Sequence, residues 1–146
     1  MNNDNNVDIQ ALDQALGMTF RLVSNRINSK FKTAGYVVTP EQYMILSCLY
    51  KYGELQQNQI SKLVTKDEPS ISRTVNNMIK NGIVKRVQHP NDKRTNLICL
   101  TEKAKEIEED LHNECLVALK EAIKDISSSD MKIFENVIYK IINNLK

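Results

Sequence analysis

The side chains best suited to recognition chemistry in this 146-residue chain crowd one short stretch. Between Asp67 and Gly82 stand Ser70, Arg73, Asn76, Asn77 and Lys80. In a helix turning about 100° per residue, they share one face with Pro69. Ile71, Val75, Met78 and Ile79 fall on the opposite, apolar face. The polar side chains offer hydrogen bonds of particular kinds. A guanidinium such as Arg73 can fork onto the N7 and O6 of guanine, and an asparagine amide can pair with adenine. Lysine and serine at the remaining positions suit phosphate oxygens.

A reading face of this kind must be held by other elements. Asp67 is placed to cap the helix and Pro69 to sit in its first turn. Gln56 to Thr65 reads as a shorter preceding helix, with Ile60, Leu63 and Val64 turned inward. Two β-rich runs follow, Ile83 to Gln88 and Thr95 to Leu100. The joint between them, His89-Pro-Asn-Asp-Lys-Arg94, carries turn residues, so the pair is expected to form a hairpin. Residues 56–100 hold eight Lys/Arg against three Asp/Glu, a net of +5. Residues 1–55 are neutral, with five of each sign, and residues 101–146 carry seven basic against ten acidic groups, a net of −3. The overall charge of +2 thus hides a basic centre built on a helix-turn-helix pattern, which points to nucleic acid.

The flanking segments read as helices. From about Asp8 to Ala34, apolar residues recur every three or four positions, with Gly35 as a stop. Thr39-Pro-Glu-Gln42 starts a second helix that ends near Gly53, and Leu55 suits a very short strand. Thr101 caps a long helix running to about Ile126. After a break at Ser127 to Ser129, where Ser127 and Asp130 resemble a capping box, a last helix carries Phe134, Val137, Ile138, Ile141 and Leu145 in one stripe. The expected fold is mainly α with a small β-wing, a single domain over 1–146. Its winged helix-turn-helix occupies 39–100, between long helices at 8–34 and 101–146. Those outer stripes have no obvious cover within one winged unit. They predict a homodimer, with an intramolecular bundle as the other way to bury them.

Composition and motifs narrow the function further. Hydrophobic residues at 41% and charged residues at 26% suit a folded soluble chain. No signal-peptide pattern or membrane span is visible, so the expected compartment is the cytoplasm. Cys48, Cys99 and Cys115 are odd in number and widely spaced, and His89 lies far from His112. No disulfide framework, metal site or cofactor is expected. Glycine-rich phosphate loops and nucleophile elbows are lacking, and with them the case for an enzyme.

Residues 56–104 resemble the MarR (multiple antibiotic resistance regulator) family of bacterial transcription regulators. The resemblance rests on Gln59-Ile-Ser-Lys-Leu63, Pro69-Ser-Ile-Ser-Arg73, Asn81-Gly-Ile-Val-Lys-Arg86 and Asp92-Lys-Arg94, followed by Thr95 to Ala104. Helix order extends it to about residues 8–146. It implies that Ser70, Ser72, Arg73 and Asn77 lie on a recognition helix and that Arg94 is a wing arginine approaching a minor groove. It implies that Asp92 fixes the wing by pairing with Arg86 or Arg94. The full candidate interface is Ser70, Ser72, Arg73, Asn76, Asn77, Lys80, Arg86, Asp92, Lys93 and Arg94. Here the wing carries His89-Pro90-Asn91 and Lys93, where many members carry more arginines. The resemblance further implies a homodimeric repressor on double-stranded DNA, released by a small organic effector. Two alternatives are a redox-sensing member of the same family and a winged-helix protein-interaction module.

Overall fold

A computed structural model describes residues 7–146. The element order is α1 (Ile9–Thr33), α2 (Pro40–Tyr52), α3 (Gln57–Val64), α4 (Glu68–Lys80), β1 (Val84–His89), β2 (Asp92–Leu100), α5 (Glu102–Glu106), α6 (Glu108–Ala122) and α7 (Ser128–Leu145). The expected class, mainly helical with a two-stranded wing, is the one found.

Local chemistry sets the helix starts. Asp8 caps α1 by accepting the Ala11 N–H. Thr39 and Gln42 form a reciprocal capping box at α2, whose first residue is Pro40. Gly53 ends α2 with φ +78°, a left-handed geometry that suits a residue without a Cβ. Leu55 then makes an isolated bridge to Ile98, the short strand expected there.

The core lies where α2, α3 and α4 meet the base of the wing and the end of α1. Phe31, Leu46, Ile60, Ile71, Val75, Met78 and Leu111 have no exposed surface. Phe31 meets Tyr43 edge-on, with ring centroids 5.3 Å apart. In α3 one inward assignment fails, because Leu63 is 46% exposed while Ser61 is buried. With Ile60, Ser61 and Val64 facing in, a turn of about 100° per residue carries Leu63 to the edge of the helix.

Two further expectations are corrected. The wing turn is not six residues long: strand pairing runs to His89↔Asp92, leaving Pro90 and Asn91 at the tip, with an irregularity between Gln88 and His89. The helix expected from Thr101 to about Ile126 is broken at Ile107 and ends at Ala122. At the break, the Tyr50 hydroxyl donates to the Ala104 carbonyl at 2.6 Å. That carbonyl is the acceptor residue 108 would use in a continuous helix, and a side chain inserted into the ladder bends it. Past Ala122 the chain turns through Asp125, at φ +62°, before Ser127 caps α7. Ser127 accepts the Asp130 N–H, and its hydroxyl donates to the Asp130 carboxylate at 2.7 Å.

The outer helices are unevenly covered. α1 packs along α6, and Lys30 and Arg26 both pair with Glu121, the lysine at 2.7 Å. α7 has no buried residue. Ile9, Leu12, Leu16 and Phe20 on α1 and Phe134, Val137 and Leu145 on α7 are exposed, so the first half of the α1 stripe and much of the α7 stripe lie open. No helix among the described residues is long and apolar enough to cross a membrane.

Candidate nucleic-acid interface

The turn between α3 and α4 is built from side chain to backbone. Thr65 takes the left-handed conformation, at φ +55°. The Ser61 hydroxyl donates to the Lys66 carbonyl, and Lys66 pairs with Glu41 on α2 at 2.7 Å. Asp67 then closes the start of α4. Its carboxylate accepts the Ser70 N–H at 2.8 Å and the Ser70 hydroxyl at 2.7 Å. Those two bonds, the hydroxyl first, hold the Asp67 carboxyl below the usual aspartate range. The cap therefore stays ionised near neutral pH at the positive end of the helix.

Burial sorts α4 as its spacing predicts. Ile71, Val75 and Met78 are buried, while Arg73, Asn76, Asn77 and Lys80 are exposed. Ser70 and Ser72 are half-buried on the flanks. The Arg73 guanidinium donates to the Ser70 hydroxyl at 3.3 Å, so the two form one polar patch.

The wing is joined to this face. Arg86 on β1 reaches α4 and donates to Oδ1 of Asn76 at 3.2 Å. Thr101 fixes the other end of the hairpin, its hydroxyl within hydrogen-bond distance of the Gly82 and Ile83 carbonyls. At the wing tip Lys93 and Arg94 are exposed.

Asp92 does fix the wing, but not by pairing with Arg86 or Arg94, and this corrects the sequence expectation. Its carboxylate accepts the Arg94 backbone N–H at 3.0 Å and the Thr95 hydroxyl at 2.8 Å. An aspartate bonding the amide two residues on makes its own small turn. The Arg94 amide, then the Thr95 hydroxyl, hold the Asp92 carboxyl below its ordinary value. The Arg94 side chain is left on the surface.

The ten candidates thus fall into two linked groups. Ser70, Ser72, Arg73, Asn76, Asn77 and Lys80 lie on α4, and Arg86, Asp92, Lys93 and Arg94 lie on the wing. Sequence reasoning overlooked Gln42 of α2, which is buried and donates to Asn77 at 3.2 Å. Its place three residues after Thr39 signalled a cap; nothing in the sequence signalled the second contact. Among the described residues no group of histidine, cysteine and carboxylate side chains is arranged to hold a metal ion.

Comparison with known proteins gives the same architecture. The MarR family profile matches residues 38–95. The uncharacterized HTH-type transcriptional regulator YwoH of Bacillus subtilis is 26% identical over 122 residues, spanning 84% of this chain and 87% of the relative. A second regulator of that organism, YdgJ, is 23% identical over 137 residues, spanning 94% and 76%. Among solved structures, a mutant MarR from E. coli in complex with operator DNA superposes with a TM-score of 0.84 at 21% identity, covering 92% of this chain and 95% of that one. A MarR transcriptional regulator from Methanosarcina mazei gives 0.81 at 20% identity, covering 92% and 96%.

Proposed function

We propose that this chain, a MarR-family helix-turn-helix transcriptional regulator, acts as a dimeric repressor that binds a pseudo-palindromic operator and is released by a small organic effector. One observation carries the reading: a capped helix with an exposed hydrogen-bonding face is tied through Arg86 and Asn76 to a basic wing. In this reading α4 enters the major groove and Ser70, Arg73, Asn76, Asn77 and Lys80 meet bases and phosphates, with Ser72 at the flank. Lys93 and Arg94 reach the flanking minor groove or its phosphates. Asp92 shapes the wing, and Arg86 holds it against the helix.

The dimer is supported by the open apolar residues of α1 and α7, which a two-fold partner would cover. The effector is supported by a cavity of about 360 Å³ between α1 and α2, lined by Phe20, Asn28, Pro40, Met44 and Lys66 among others. A ligand there touches both the long-helix part and the winged part. Differential affinity of about 1.4 kcal/mol between two arrangements changes operator binding tenfold.

The test is selection from randomised duplex DNA, followed by titration at several salt concentrations. A two-fold site with half-sites about 10 bp apart is expected. The logarithm of affinity should fall with that of salt by about 0.9 per phosphate neutralised. Salt-independent binding, or no preference over random duplex, refutes the proposal.

A further inference from the structure

Both ends of the Gln42 amide are engaged inside the protein. Its Oε1 accepts the Thr39 backbone N–H at 3.1 Å. A backbone N–H only donates, so the amide oxygen must face it. The Nε2 end is thereby turned toward α4, where it donates to Oδ1 of Asn77 at 3.2 Å. Asn81 donates its own Nδ2 to the same oxygen at 3.1 Å. A carbonyl oxygen has two lone pairs, and both are now used. Asn77 is exposed, and its Nδ2 remains to face solvent. Asn76 is turned the same way by another route, with one lone pair of its oxygen taken. The Arg86 guanidinium, which can only donate, sits on Asn76 Oδ1 at 3.2 Å.

We infer that Asn77 meets DNA as a donor only, and that Gln42 is the positioning residue that sets this polarity. The inference rests on the DNA-reading role proposed above. The pairing of asparagine with adenine needs a donor for N7 and an acceptor for the N6 amino group. Asn77 has spent its acceptor, so that pairing is closed to it. An edge with two adjacent acceptors fits instead, and in the major groove that is N7 and O6 of guanine. The orientation chain starts at a backbone N–H in a helix cap, which ties base preference on α4 to the start of α2.

Gln42→Glu is the direct test. Glutamate at this position keeps the capping box and the acceptor for Thr39. It also sets an acceptor against Asn77, so Asn77 turns its Nδ2 inward and its Oδ1 outward, and the exposed Asn81 turns with it. Wild type, Asn77→Ala, Gln42→Glu and Gln42→Met are each put through selection from randomised duplex, with melting temperatures recorded. Wild type should prefer guanine at the position whose preference Asn77→Ala abolishes. Gln42→Glu should move that one position toward adenine or cytosine by roughly tenfold, leaving the other positions alone. Gln42→Met, which removes both amide ends, should flatten the preference without reversing it. A wild-type adenine preference there overturns the inference, as does a Gln42→Glu variant that keeps guanine and merely weakens on every sequence. The wild-type and Asn77→Ala arms decide the guanine preference even if a Gln42 variant does not fold. A wild type with no sequence preference at all instead refutes the DNA-reading role itself.

Discussion

Phe134 offers a quantitative test of the proposed dimer. It lies on α7, a helix with no buried residue, and is 51% exposed. Fully burying a phenylalanine contributes about 1.5–3 kcal/mol, so covering the open half contributes about 0.75–1.5 kcal/mol. A two-fold interface contains the residue twice. Phe134→Ala should therefore weaken the dimer by about 1.5–3 kcal/mol, or roughly 10- to 150-fold in dissociation constant. The isolated chain should suffer little, because alanine forms helix better than phenylalanine and α7 has no buried residue. Sedimentation over a concentration series reads the dissociation constant, and circular dichroism on dilute protein reads the helix content. An unchanged dissociation constant would show that α7 is not the interface. A variant that unfolds when dilute would show that α7 is held within its own chain.

The remaining predictions follow from the reading face, its caps and the thiols. Arg73→Ala should cost about 1–3 kcal/mol of operator affinity and relax base preference, whereas Arg94→Ala should weaken many sequences together; titration against a panel of altered sites separates them. The Asp92 carboxyl is held below its ordinary value in the folded wing, so its contribution is full above the unfolded aspartate pKa and fades as pH falls through the lower folded one. Hydrogen exchange at the Arg94 amide should therefore show unchanged protection from neutral pH down to about 5 and lose it only in stronger acid, and Asp92→Ala should lose it at every pH. Burial pushes up the thiols of Cys48, Cys115 and Cys99, the last to about 11, so little thiolate exists near neutral pH. A Cys48→Ser, Cys99→Ser, Cys115→Ser variant should match wild type in operator binding under mild peroxide; release of wild type alone would establish redox control.

What the sequence disclosed, and what it withheld, divides by the range of the interactions. Helix starts were legible because a cap and its partner lie within three residues, as at Thr39 and Gln42 or Asp67 and Ser70. The split of α4 into buried and exposed faces was legible because helical period alone decides it. The break at Ile107 was not, because its cause is Tyr50, whose hydroxyl bonds a carbonyl 54 residues along the chain. The partner of Asp92 was misjudged for a related reason. Opposite charge suggested an arginine side chain, but a neutral backbone amide two residues on was closer and cost less ordering. Gln42 was hidden because one local role, capping, was enough to account for it. Its bond to Asn77 spans 35 residues and has no local pattern.

The Tyr50 hydroxyl on the Ala104 carbonyl also makes an elbow between the winged part and α6. Fifteen residues of helix beyond it form an arm of about 22 Å. A rotation of about 10° at the elbow swings the far end of that arm through about 4 Å, slightly more than the 3.4 Å between successive base pairs. In the proposed dimer on its operator, small angular play at one phenol would become linear registration along the duplex. In a symmetric pair the two arms swing in opposite senses, so the error doubles between the half-sites. On the proposed function, the stiffness of this joint, as much as any contact to a base, would set how strictly such a pair measures the distance between two grooves.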